Sequence, residues 1–315
     1  IGANAALFSV VHAAFMRPVP GVAEPDRVVE MLMRSRGRTM TEWSYPDLED
    51  VRAAGTPIQT VAGWKMRDGA LVVGDASQRV RAMYASSGYF TVLGVRPALG
   101  RPFQAPEDIG AGQHPVAVVS HKLWRTVLGG RADILGTVIT LDRTPYTVGV
   151  APETFRHHRV GEPAPELWVP LVQYPMFAGP ENWAANRNAS WVEALGRLRP
   201  GATVGEASAA VATVFEGLAK AYPDTNRERS AIVASFGPLP ASYRTEITAG
   251  LAALLAAGAL VLFIICTNLA GLMFARGAAG QHDLAVRAAL GASRGRLVRR
   301  VLVEAATLAL GGGVL

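Results

Sequence analysis

The chain has 315 residues, half of them hydrophobic, with 31 Lys and Arg against 25 Asp and Glu and a net charge of +6. A lone cysteine, Cys266, excludes a disulfide framework, a cysteine-based zinc site and a thiol oxidoreductase motif. Residues 276 to 304 hold six Arg against Asp283 and Glu304, so +4 of the +6 sits in one short stretch, which argues for membrane topology and against a nucleic-acid footprint.

Residues 1 to 16 (IGANAALFSVVHAAFM) are largely apolar, with one histidine. As a helix they reach about 24 Å, too short to span a bilayer, and they read as the C-terminal part of a first transmembrane helix. A cleaved signal peptide is the alternative, but no A-x-A-like site follows and Arg17-Pro18 intervenes.

Residues 17 to 246 read as a mixed α and β domain, long enough to bury a core without a disulfide. Val28 to Arg34 is β-like, and Tyr45 to Ala54 is helical behind the Ser44-x-x-Asp47 cap. Strands are expected at Ile58 to Lys65, Leu71 to Gly74 and Val80 to Ala85, then a short helix from Ser87 to Leu93. Val116 to Val119 feeds a helix from His121 to Leu128. Val138 to Leu141 and Tyr146 to Val150 flank Asp142-Arg143-Thr144-Pro145, whose residue types suit a hairpin turn.

The clearest local unit follows. Trp191 to Leu198 is a strand, Thr203-x-x-Glu206 a capping box, and Val204, Ala207, Val211, Val214, Phe215 and Leu218 recur at helical spacing. Pro223-Asp224 ends that helix and Ala231 to Phe236 is a further strand, a β-α-β unit whose connection is long enough for a parallel pair.

Residues 247 to 275 then run without a charge. At ~1.5 Å per residue such a helix reaches roughly 43 Å, against a hydrocarbon core of about 30 Å. The arginines that follow place residues 276 to 300 in the cytoplasm and residues 17 to 246 outside it. In this segment Gln281 to Leu290 is a short helix, Gly291 its stop and Ser293 the cap of the next. Residues 301 to 315 are apolar apart from Glu304 and read as the start of a third transmembrane helix. Small residues such as Gly250, Ala253, Ala257 and Gly258 allow close packing of the span, although simple apolar filler explains them as well.

No nucleotide-hydrolysing motif is present: none of the lysines, Lys65, Lys122 and Lys220, ends a Gly-rich phosphate loop. G-x-S-x-G and H-E-x-x-H are also missing. His157 and His158 are adjacent, so in a helix or strand their rings would diverge, which disfavours a metal pair; His114 and His121 read as surface or core residues. Catalytic, metal and cofactor sites are expected to be none. Asn188-Ala189-Ser190 matches a glycosylation sequon, a frequent chance pattern.

Four segments, YASSGYFTVLGVRPALGRPF (84 to 103), PVAVVSHKLW (115 to 124), ILGTVITLDRTPYTVGVAPETF (134 to 155) and LAVRAALGASRGRLVRRVLVE (284 to 304), together resemble the MacB/FtsX-type ABC transporter permease family. The resemblance implies an α+β periplasmic domain inserted between transmembrane α-helices, in a multi-pass protein of the bacterial inner membrane. It further implies a separate ABC ATPase subunit, a dimer of permease units, and a periplasmic adaptor with an outer-membrane channel. By the same resemblance the ATPase-coupling residues are Asp283, Leu284, Arg287, Ala288, Gly291, Ser293 and Arg294. Arg276, Arg299 and Arg300 anchor the chain at lipid headgroups. The family's stretch before this point is more basic and ends in Glu, where this chain has Gly280-Gln281-His282-Asp283. The expected function is transmission of ATP-driven motion to the periplasmic domain for efflux. The alternatives are an FtsX-like regulator of a cell-wall hydrolase and, from a third class, a membrane-anchored extracytoplasmic enzyme.

Overall fold

Short runs rich in β-branched and other apolar residues make strands dominate the larger of two units, Ala14–Thr245; the second unit comprises Ile1–Ala13 and Glu246–Leu315. The computed structural model describes residues 19–110, 112–159, 162–174 and 184–279, with positions 9, 295, 299 and 303. In the larger unit the elements begin β1 (Val28–Ser35), β2 (Arg38–Met40), β3 (Glu42–Ser44), α1 (Tyr45–Ala53), β4 (Ile58–Val73), β5 (Ala76–Ala85) and α2 (Gly88–Leu93). They continue with β6 (Val116–Val119), α3 (His121–Thr126), β7 (Val138–Leu141), β8 (Thr144–Val150) and β9 (Leu167–Pro170). The chain then forms β10 (Ser190–Leu198), α4 (Val204–Ala221), α5 (Pro223–Asn226), β11 (Arg229–Ser235) and α6 (Ala241–Ala279).

The strand order is β11-β1-β10-β4-β5-β9-β6-β8-β7, and β7 also pairs with β4. Two motifs share this one sheet. β1-α1-β4 and β10-α4-β11 are two βαβ halves whose strands interleave in the order β11-β1-β10-β4, the split βαβ arrangement. Between β4 and β10 the chain inserts a ring of pairings, β4-β5-β9-β6-β8-β7 and back to β4 at Leu71 and Val72, which closes a small barrel. Strand β4 belongs to both motifs: Ile58 to Trp64 pairs with β10, and Trp64 to Val73 with β5.

Local chemistry sets the helices. The Ser44 hydroxyl accepts the Asp47 N–H at the start of α1, and Thr203 and Glu206 cap α4 reciprocally. Helix α4 buries Ala207, Val211, Phe215 and Leu218 along one stripe, with Phe215 edge-on to Trp43 at 5.4 Å. Removing the Phe215 ring would cost about 3–5 kcal/mol, the usual range for a buried aromatic. Gly63 in β4 is required by packing: a Cβ there would lie 2.7 Å from Leu48 of α1 and 2.9 Å from Val192 of β10. On the opposite face a second apolar cluster, including Trp64, Met83, Phe90, Phe155 and Trp168, packs under α2. The buried Arg197 of β10 caps α2 by donating to the Val92 carbonyl at 2.7 Å.

Several sequence expectations change. The segments Ile58 to Lys65 and Leu71 to Gly74 are one strand of 16 residues; Gly69, which suggests a break, admits the Asp142 and Leu141 side chains of the β7 end, where a Cβ would meet them at 2.9 Å. The β7–β8 turn is Asp142-Arg143 alone, both at positive φ, so β8 starts at Thr144. β10 and β11 run parallel but do not pair, because β1 lies between them and is antiparallel to both. Pro223 stops α4 yet opens the short α5.

In the smaller unit, α6 continues as a helix of 39 residues in all, long and apolar enough to cross a membrane. Leu260, Phe263, Leu272 and Phe274 are exposed along it. The expected boundary at residue 247 falls inside α6, six residues after its start. The expected first helix lies outside the described residues apart from position 9.

Candidate functional site

The predicted coupling residues Asp283, Leu284, Arg287, Ala288, Gly291, Ser293 and Arg294 lie outside the described residues, as does Arg300. Of the anchoring arginines, Arg276 occupies the last turn of α6 and Arg299 is exposed in helical conformation. The structure instead brings together a set of buried charges at the other end of α6, within the larger unit.

Glu30 is the one charge in the Val28–Met33 stretch of β1, and its side chain is buried. Its Oε2 accepts the backbone N–H of Ala241, the first residue of α6, at 2.9 Å. Its Oε1 lies 3.4 Å from Arg244 Nη2. The same arginine donates to the carbonyls of Ser235 and Leu239, each at 3.0 Å. The helix root is therefore held by a carboxylate at its positive end and by an arginine that ties down the incoming loop. Burial raises the Glu30 carboxyl above its ordinary range, while the Ala241 N–H, Arg159 and Arg244 oppose that shift.

The charges continue across this face of the sheet. Glu193 of β10, also raised by burial, pairs with Arg159 at 2.8 Å. Arg159 lies over the Trp64 ring, 4.8 Å from its centroid. Next to it, His157 and His158 are buried with ring centroids 4.5 Å apart. The expected divergence of the two rings fails because the segment is neither helix nor strand. His158 Nδ1 is 2.7 Å from the Tyr89 hydroxyl of α2. No group of three potential metal ligands occurs among the described residues.

On the helix-covered face, Asp47 is fully buried and collects Arg187 (2.7 Å), Asn226 (2.9 Å) and Arg229 (3.1 Å). An open polar groove of about 670 Å³ lies beside this hub, lined by Arg36, Asn188, Arg227 and Arg229 among others. Arg36 and Arg229 are already paired, with Glu228 and Asp47, so the groove is a mixed-charge surface and not a cationic one. Sequence reasoning missed the Glu30 joint, although a single carboxylate inside an apolar strand was its visible signal.

The sequence pattern of the MacB-like periplasmic core domain matches residues 1–214, which reach from the start of the chain into α4. The chain belongs to this family. Among solved structures, a domain assigned to a permease protein of Porphyromonas gingivalis is 17% identical, with a TM-score of 0.52 over 70% of this chain and 94% of that one. At that identity the likeness is one of fold. The periplasmic region of MacB from Actinobacillus actinomycetemcomitans is 15% identical, with a TM-score of 0.48 over 73% and 94% of the two chains. The extracellular domain of the noncanonic ABC-type transporter YknZ from Gram-positive bacteria is 13% identical, with a TM-score of 0.46 over 65% and 99%. No curated protein matches the chain. The MacB-like periplasmic core is a permease-domain family and not a known family of enzymes.

Proposed function

We propose that the chain is the permease subunit of an ABC-type transporter of the bacterial inner membrane, in which α6 carries ATP-driven motion of a separate ATPase into the periplasmic sheet and so drives efflux. The observation that carries this reading is the helix root, where the buried Glu30 carboxylate holds the Ala241 N–H and Arg244 against β1, a strand paired on both sides. Displacing the root pulls on a strand inside the sheet as well as on the incoming loop that Arg244 holds. Family membership and the charge-free run ending at Arg276 support the same reading. In it, residues 276 to 300 are cytoplasmic, the predicted residues from Asp283 to Arg294 contact the ATPase, and two permease copies work with an adaptor and an outer-membrane channel.

Glu30→Leu in cells lacking the native copy tests it. The variant is expected to insert and to bind its ATPase, while export of a panel of antimicrobial compounds falls at least tenfold. Export at the native level would remove the joint from the mechanism. Unchanged export combined with failed cell separation would move the reading to the FtsX-like regulator.

A further inference from the structure

The segment from Ala151 to Arg159, after β8, has no regular secondary structure, yet it buries Ala151, Phe155, His157 and His158. It covers part of the apolar cluster under α2, with Phe155 5.8 Å from Trp168 and His158 4.7 Å from Trp64 between ring centroids. The Nε2 atoms of both histidines and the Trp64 Nε1 are buried without a partner among the described residues. Burying polar nitrogens this way is tolerable for neutral rings and very costly for imidazolium.

Among the described residues no uncommitted carboxylate faces a protonated ring. On the same segment Arg159 is adjacent and cationic, and Glu153 and Arg156 are exposed. From β5, Arg81 also acts on His157 as a positive charge. From β10, Glu193 is committed to Arg159, as is Glu162 at 3.4 Å. Lys65 of β4 is paired with Glu42 of β3, and Glu30 of β1 is committed to the α6 root. The side chains in ring contact with His158, apart from His157, are Tyr89 and Trp64.

We propose that residues 151 to 159 form an acid-released latch: two neutral buried imidazoles hold the segment against Trp64 and Tyr89, and a proton on either one expels it and separates Arg159 from Glu193. Burial, opposed by a hydrogen bond to the Arg159 carbonyl and aided by the Arg159 and Arg81 charges, lowers His157 to about 4, and burial with the His157 and Arg159 charges also lowers His158. An unfolded histidine titrates near ~6.5. The latch is therefore fully closed above that value and loosens as the pH falls toward the folded value, since the open state binds protons that the closed state refuses. Glu30 and Glu193, raised by burial, act in the opposite sense, because the folded state takes up their protons first.

Hydrogen exchange followed by mass spectrometry on the full chain in detergent micelles tests this at pH 7.5 and 5.0, corrected for intrinsic exchange chemistry. Opening of the 151 to 159 peptide is expected to rise about 30-fold if one imidazole takes up a proton and about 1,000-fold if both do, the factors that follow from a shift away from ~6.5. Peptides from β1 and β10 should not follow. His157→Phe with His158→Phe is expected to abolish the rise. Should that double variant not fold, His157→Gln alone is expected to reduce the two-proton response to the one-proton response. Equal protection at the two pH values, or an undiminished response in the variants, would overturn the latch.

Discussion

Asp142, at the tip of the β7–β8 hairpin, accepts the Ala70 N–H at 2.8 Å through Oδ1 and returns its own backbone N–H to the Ala70 carbonyl at 2.9 Å. This reciprocal pair joins the last barrel strand to β4 and closes the ring. Because Asp142 also sits at a φ of 46°, the position selects for a short polar side chain that tolerates the left-handed region. Asp142→Asn should leave stability within about 0.5 kcal/mol, whereas Asp142→Val should lose about 2 kcal/mol or more by combining backbone strain with a lost bond. Urea unfolding of the two variants checks the contrast; equal stabilities would dismiss this account of ring closure.

The Asp47 hub makes a larger claim. Its carboxylate is fully buried between Arg187 and Arg229, so Asp47→Ala takes its paired carboxylate from the mostly buried Arg229 and leaves Arg187 with Asp50 at 2.7 Å. A loss of about 3–5 kcal/mol is expected, the range for breaking a buried pair by removing one partner. Asp47→Asn, which retains an acceptor, should lose less. Denaturant midpoints decide between this and a hub that is merely surface decoration, for which both changes would stay near 0.5 kcal/mol.

Topology is open to direct labelling in a Cys266→Ser background. Ser77 is exposed at the start of β5, and Ser77→Cys should react with an impermeant maleimide in cells whose outer membrane alone is permeabilised. Ser293→Cys should react only after the inner membrane is also opened, if the proposed orientation, with the arginine-rich side in the cytoplasm, holds. The reverse pattern would invert the whole orientation.

The proposed ATPase contact is tested by Ala288→Glu. Membrane insertion depends on the apolar runs and flanking arginines, so the variant should insert normally while co-purification of the ATPase drops and export falls at least tenfold. Native ATPase binding together with native export would reduce residues 281 to 290 to an anchor at the membrane surface.

What could be read in advance was what neighbours in sequence decide. The caps of α1 and α4 follow from Ser44, Thr203 and Glu206 acting three residues away, and the buried stripe of α4 follows from spacing alone. β3 and β9 were not legible, because strands of three or four residues owe their existence to partners far along the chain, and β2, three residues paired back onto β1, is too short to show a period. The place of β1 between β10 and β11 is likewise a tertiary fact. At the site, the lone Glu30 in an apolar strand was visible, but its partners Ala241 and Arg244 lie over 200 residues away. The His157–His158 contact could not be read because an irregular segment has no fixed side-chain period.

The double membership of β4 also fixes an order of events as the chain is made. Its C-terminal half meets β5 at once through a tight turn, whereas its N-terminal half waits for β10, which begins more than 100 residues after β4 ends. Until Ser190 and its successors emerge, the Ile58 to Trp64 edge stands unpaired and apolar, a template for wrong partners. The β4–β5 hairpin is local and closes quickly, the barrel needs the longer β4–β7 and β5–β9 pairings, and the split βαβ sheet must enclose the entire insertion before β4 meets β10. Destabilising changes in the barrel are therefore expected to leave nascent chains aggregating at β4, even where the finished protein would tolerate them.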